Sequence, residues 1–246
     1  MCIICEKKNI QGLKRLDCTN CPVVKVIPNI SGLEVLICLH CPSLTNIPNI
    51  VGLNSLYCSY CPNIQFIPNI IGLKELYCTD CLLLTSIPNI VGLKSLYCSN
   101  CPSLTSIPNI VGLKHLSCSF LPITVIPSIV GLEKLYCCGC KFLTAIPNIS
   151  ELEELDCSYC RLLTSIPNIS ELKYVKLSGC PWIPQNPNNK ILLGMKLQSW
   201  ILKNYRYFVF KRWIKSQEGM EFLYDPNNIG GRIEKAKMKN ALEGLN

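Results

Sequence analysis

Apolar positions recur in a fixed order along residues 12–180: Leu-x-x-Leu-x-Cys-x-x-Cys-x-x-Leu, then Ile-Pro, then a single Ile ahead of the next Gly-Leu. Gly12, Gly32, Gly52, Gly72, Gly92 and Gly112 fall 20 residues apart. A one-residue deletion moves the next mark to Gly131, and Glu151 and Glu171 take the place in the two units that follow. Repetition at such a period takes precedence over any local reading. Within a unit, Ser95-Leu96-Tyr97-Cys98-Ser99 alternates as a short strand does, with Leu96 and Cys98 inward and Ser95, Tyr97 and Ser99 outward. One unit cannot cover its own apolar side, so the units are predicted to stack and their strands to form a parallel sheet. Proline follows isoleucine at 28, 48, 68, 88, 108, 127, 147 and 167. Proline that frequent excludes a regular helix in the returning half, which is predicted to be extended or polyproline-like.

The stretch from Leu93 through Leu104 carries L-x-x-L-x-C-x-x-C-x-x-L. It resembles the leucine-rich repeat, in which the position usually held by Asn also accepts Cys. The resemblance covers about residues 12–180, nine units with a degenerate last one. It implies a β-rich, α/β-type solenoid with a parallel concave sheet, short repeats and an extended convex side. Short units of this kind are similar to those of secreted bacterial leucine-rich-repeat effectors. The doubled-cysteine form resembles the leucine-rich-repeat proteins of mimivirus-like giant DNA viruses, which implies a viral protein acting in the host cytoplasm or carried in the virion.

The 19 cysteines invite a chemical reading. Cys18-x-x-Cys21 followed by Cys38-x-x-Cys41 has the spacing of a four-cysteine zinc site. The repeats argue otherwise, since Cys118 is matched with Leu121 and Leu177 with Cys180. Leucine cannot bind zinc, but it fills an apolar slot that a thiol also fills. Sixteen cysteines fall on two inward columns and are expected to be buried free thiols, with no metal and no cofactor. Disulfides between stacked rungs lie within bonding range. The chain has no signal-peptide h-region and no apolar run of the roughly 18 residues a membrane span needs, so a reducing cytoplasm, where such bonds are rare, is expected. Cys2-x-x-Cys5 reads as the close of a partial unit within residues 1–11, with no N-terminal cap evident before the first full repeat. Cys138 alone takes an outward place, which raises a thiol-dependent enzyme as the lesser reading. The nearest outward histidine, His115, would lie roughly 13 Å from it, too far to act as its base. No cysteine follows Cys180, so the cysteine-dependent ubiquitin-ligase activity of some bacterial effectors does not carry over.

The outward positions define the candidate binding face. The central column runs Asp17, Ile37, Tyr57, Tyr77, Tyr97, Ser117, Tyr136, Asp156, Lys176. Ser55, Glu75, Ser95, His115, Lys134 and Glu154 flank it on one side, and Ser59, Thr79, Ser99, Ser119 and Cys138 on the other. Tyr57, Tyr77, Tyr97 and Tyr136, with His115, Ser95 and Ser99, are the candidate contacts. Tyrosine among serines gives contact area and hydrogen bonding at low entropic cost. Strand preference and cross-strand packing would place tyrosines there as well. The expected activity is non-enzymatic binding of a host or viral protein on the concave face, with no small-molecule substrate.

Charge divides the chain differently. Residues 1–180 hold 13 Lys and Arg against 11 acidic residues, whereas residues 181–246 hold 11 against 5, so most of the net charge of +8 sits in the last quarter. Pro181, Pro184 and Pro187 mark the junction. A helix is predicted over about 190–215, carrying Lys203, Arg206, Lys211 and Arg212, followed by a turn at 224–228 and a second, shorter helix. As a cap it would cover the open solenoid end with Leu193, Leu197, Trp200, Ile201 and Phe208. As a basic amphipathic helix it would tether the protein to an acidic membrane surface or to nucleic acid. The run of aromatics and lysines ahead of Tyr-x-Pro-x-x-x-Gly-Gly also resembles the tails of the giant-virus repeat proteins.

Overall fold

The structure, a computed structural model, describes residues 2, 4–6, 9–167, 169 and 171–181. The chain divides into two units, Met1–Ile183 and Pro184–Asn246, and every described residue lies in the first. The helices predicted for the tail, its basic residues Lys203, Arg206, Lys211 and Arg212, and the choice between cap and tether lie outside the described residues.

Nine short strands follow one another: β1 (Arg15–Asp17), β2 (Val35–Ile37), β3 (Ser55–Tyr57), β4 (Glu75–Tyr77), β5 (Ser95–Tyr97), β6 (His115–Ser117), β7 (Lys134–Tyr136), β8 (Glu154–Asp156) and β9 (Tyr174–Lys176). They form one parallel sheet in sequence order. Each residue sits beside its counterpart one unit on, as in Tyr57 beside Tyr77 beside Tyr97. The deletion between β6 and β7 leaves that register intact, with Ser117 still facing Tyr136, so the missing residue is absorbed outside the strands.

The strands hold three residues where the alternation predicts five. The chain bends at the position before the second cysteine, where Asn100 adopts φ +56° and its counterparts do the same. Stacking nevertheless continues past the strand, since the Cys98 and Asn100 N–H groups donate to the carbonyls of Ser117 and Ser119. The turns ahead of β1 to β7 also use a left-handed residue, and Gly112, at φ +81°, supplies it without the steric cost a side chain would meet.

The interior is one apolar stack. In the fifth rung Leu93, Leu96, Cys98, Cys101, Leu104, Ile107 and Ile110 are all buried, and equivalent residues repeat through the solenoid. Among the described residues the returning side has no helix; it is extended, with isolated parallel bridges at Val26–Asn46 and Phe66–Ser86. Proline has no N–H to give a neighbouring rung, and threonine supplies cross-rung donors instead. The Thr45 hydroxyl donates to the Lys25 carbonyl and that of Thr85 to Gln65, each at 3.1 Å.

All 19 cysteines are free. The second cysteine of a rung donates its S–H to the carbonyl of the first cysteine one rung back. Cys41 reaches Cys18 at 3.1 Å, Cys61 reaches Cys38 at 2.9 Å and Cys81 reaches Cys58 at 3.2 Å. The series continues beyond the deletion, with Cys140 on Cys118 at 3.1 Å and Cys160 on Cys137 at 3.2 Å. The thiol thus supplies the rung-to-rung side-chain donor that an amide would otherwise provide. Burial pushes the thiols of Cys78 and Cys98 well above the usual range, which keeps them neutral.

Candidate functional site

The in-register sheet dictates what its outer face displays. Because every strand stacks on its counterpart, a residue type repeated at one position becomes a row at roughly 4.8 Å spacing. Tyr57, Tyr77 and Tyr97 form such a row, with ring centroids 4.6 Å and 4.3 Å apart and planes within 15° and 7° of parallel. Tyr136 does not join them, since Ser117 intervenes in register. Its hydroxyl donates to Glu154, which also pairs with Lys134 at 2.8 Å. The four-tyrosine stripe of the sequence is therefore a three-ring stack and a separate Tyr-Glu-Lys cluster.

These tyrosines are half-buried against their neighbours. The Tyr57 hydroxyl donates to Glu75 Oε2 at 3.0 Å, and the Ser55 hydroxyl donates to the same oxygen at 3.1 Å. Burial, then the neighbouring Tyr97, pushes the Tyr77 phenol up to about 12. The hydrogen bond to Glu154, then burial, does the same for Tyr136, also to about 12. Glu154 is held below the usual carboxylate range by Lys134 first and Tyr136 second. The face offers neutral phenols and fixed ion pairs.

The flanking columns divide into groups that bind the fold and groups that face outward. Ser95 lies in register between Glu75 and His115, and His115 between Ser95 and Lys134; both are half-buried on the outer face. Ser99 is less available than the alternation implies. Its hydroxyl accepts from the Ser119 N–H at 3.1 Å and pairs with the Ser117 hydroxyl at 3.1 Å. Ser59, in the same column, is buried, which corrects its outward placement, and Ser158, its counterpart in the eighth rung, is buried as well. The physical reason is the bend just after the strand, which turns this column into the joint between rungs; Ser59 there accepts from the Thr79 N–H at 3.1 Å.

Cys138 lies beyond the end of β7 and is half-buried. Burial, then the Asp156 carboxylate, raises its thiol above the ordinary value, the opposite of what a nucleophile needs. The zinc-like spacing at Cys18, Cys21, Cys38 and Cys41 does not become a shared site, because Cys41 gives its proton to the Cys18 carbonyl. Cys21 turns instead toward Cys2 and Cys5, and these three sulfurs lie within 4.8 Å of one another. Burial of Cys21 is outweighed by the backbone N–H groups of Cys2 and Val23 and by both neighbouring thiols, so its pKa falls to about 6.

Two exposed rows flank the sheet, and neither entered the sequence-based candidate set. Val51, Ile71, Val91, Val111 and Val130 precede the turn glycines, and each is between 70% and 80% exposed. The signal was present as a Val or Ile before glycine in five successive units. At the other end of the strands, Tyr60, Phe120 and Tyr159 occupy the left-handed turn position and are exposed. Tyr60 stacks on His40 with centroids 4.2 Å apart. The family model described as Leucine Rich Repeat matches residues 151–172, one unit containing β8.

The described residues form a solenoid of repeats about 20 residues long, one of which matches the leucine-rich repeat.

No curated protein matches the chain. Leucine-rich-repeat solenoids are in general interaction scaffolds that bind proteins along an extended curved surface and do no covalent chemistry of their own. In this one the outer sheet places a neutral aromatic stack near its centre and ion pairs toward its C-terminal rungs. At the last rung the Lys176 ammonium sits over the Tyr174 ring, 5.5 Å from its centroid.

Proposed function

We propose that the solenoid is a non-enzymatic protein-binding module that receives its partner on the outer face of the sheet, centred on Tyr57, Tyr77 and Tyr97. The observation that carries this reading is the stack itself. Three rings stacked face to face form an apolar strip of ring edges whose conformational entropy is already lost before binding. Ser95 and His115 add hydrogen-bonding groups beside the strip, and Tyr136 with Lys134 and Glu154 offers a charged patch further along. A partner suited to this face presents a flat apolar or aromatic surface with polar groups on one flank. A host or viral protein in a reducing compartment fits, because the packed thiol columns keep their form there.

The test is site-specific photocrosslinking in cells. A benzophenone side chain at position 97 is expected to capture a discrete partner, and one at Ser106, exposed on the returning side, is not. Capture of the same species with equal yield from both positions, or from Ser106 alone, would refute the assignment of the face. The paired substitution of Tyr77 and Tyr97 by serine is expected to abolish capture from position 55 while the protein remains folded.

A further inference from the structure

We propose that Cys2, Cys5 and Cys21 form a binding site for a thiophilic, tetrahedrally coordinated ion of the zinc class at the first rung of the solenoid. Among the described residues these three sulfurs are grouped closely enough to share one ion. Cys2 Sγ lies 3.6 Å from Cys5 Sγ, and Cys5 Sγ lies 3.4 Å from Cys21 Sγ. Four thiolates around zinc at about 2.3 Å sit about 3.8 Å apart. Small outward shifts of a few tenths of an ångström bring the observed sulfurs to that separation. The Cys18 sulfur, buried in the same rung, does not share that mutual separation, so the fourth position of the tetrahedron is left to a solvent ligand.

The arrangement departs from every rung above it. Elsewhere the second cysteine gives its proton to a carbonyl one rung back, as Cys41 does to Cys18. At the first rung Cys21 meets sulfur instead of a carbonyl. A disulfide would use two of these sulfurs and leave the third without a role, whereas one ion uses all three. The spacing agrees in part, since Cys2 and Cys5 stand as C-x₂-C, the interval common to paired metal ligands. On binding, the metal replaces the thiol protons, which pass to solvent, and no electrons are exchanged. The consequence is structural. The ion fastens residues 2 and 4–6 to the first rung at Cys21, where the apolar stack lacked an evident cap.

The experiment uses the reduced full-length chain and Co²⁺ alone as the probe, followed by Zn²⁺ displacement. One cobalt per chain is expected, with the thiolate-to-metal charge-transfer band and the intense visible bands of a tetrahedral site. Both should be lost in Cys5→Ser and in Cys21→Ser and kept in Cys101→Ser, which alters an interior thiol outside the cluster. Native mass spectrometry of the unmodified chain gives a second reading that needs no variant, and one zinc per chain is expected. Absence of bound metal in the fully reduced protein, retention of the full cobalt spectrum in Cys5→Ser, or equal loss in Cys101→Ser would each overturn the proposal.

Discussion

Replacing Cys61 with alanine removes one sulfur from the thiol column, and the loss can be worked from three contributions. The side chain is fully buried, so the lost transfer free energy is close to that of a methylene, about 0.8 kcal/mol. The void left by a sulfur, roughly 20 Å³, adds about 0.5 kcal/mol at about 24 cal/mol per Å³. The Cys38 carbonyl loses an S–H donor that now stands at 2.9 Å, which adds about 0.5–1 kcal/mol. The expected destabilisation is about 2 kcal/mol, or a melting temperature lower by about 4–8 °C for a domain of this size. Circular-dichroism melts, with urea unfolding alongside, would measure it. Cys61→Ser restores a donor, but on a shorter bond and with a hydroxyl that must be desolvated, so an intermediate loss is expected. Cys61→Ala within about 0.5 kcal/mol of the parent would refute the claim that the thiols act as both core and ladder. A serine variant more stable than the parent would refute the claim that apolar packing outweighs the hydrogen bond.

Three further outcomes follow from the same geometry. A Cβ at Gly139 would stand 2.5 Å from the Phe120 ring at φ +69°, so Gly139→Ala is expected to cost about 1–3 kcal/mol in urea unfolding, with the steric part recovered by adding Phe120→Ala; a neutral Gly139→Ala would contradict it. A double-mutant cycle on Tyr77 and Tyr97 is expected to give a coupling of about 0.5–1.5 kcal/mol, while Tyr97 with Tyr136, which share no ring contact, should couple near zero. Alkaline titration followed by tyrosinate absorbance should show late-ionising phenols near about 12 from Tyr77 and Tyr136, one of them absent in Tyr136→Phe. Both values are raised on folding above the ordinary 10.0, so their stabilising contribution is complete below that pH and is lost as pH rises from there toward about 12; a melting temperature unchanged across that interval would count against it.

Strict repetition made the fold legible, because a period of 20 residues with inward Leu and Cys leaves few ways to bury every unit. The strand order, the register and the extended returning side all follow from that constraint. What alternation could not give was the end of each strand. The left-handed turn at Asn100 and its counterparts depends on backbone conformation, and it moved Ser59 from surface to core. The division of the tyrosines was implicit in Ser117, but whether rings two rungs apart still touch is a matter of distance. The Cys2–Cys21 cluster was missed for a different reason. The repeat frame accounts for Cys18 and Cys21 as core residues, and nothing in a periodic pattern reports that a short, out-of-phase N-terminal segment folds back onto them. The aliphatic row from Val51 to Val130 was visible, but a residue before a turn glycine reads as filler until its exposure is known.

The replacement of an amide ladder by thiols has a bearing on where binding can occur. An asparagine in the second-cysteine position could offer two N–H donors and a carbonyl acceptor to surrounding backbone, whereas a thiol offers one weak donor. Part of the polar bridging between rungs therefore falls to the outer groups next to the strand. Ser59 and Ser99 accept the backbone N–H groups of Thr79 and Ser119, one rung on, each at 3.1 Å. Those residues are committed to holding the stack and have little left to give a partner. The residues with no such backbone bond to make are the phenol rings of the central column, which contact one another and leave an apolar strip outward. A sheet that assigns its small polar side chains to structure and its aromatic side chains to display selects for partners by shape and apolar contact. On that account serine substitutions along the joint should weaken the fold before they weaken recognition, and the tyrosine substitutions should do the reverse.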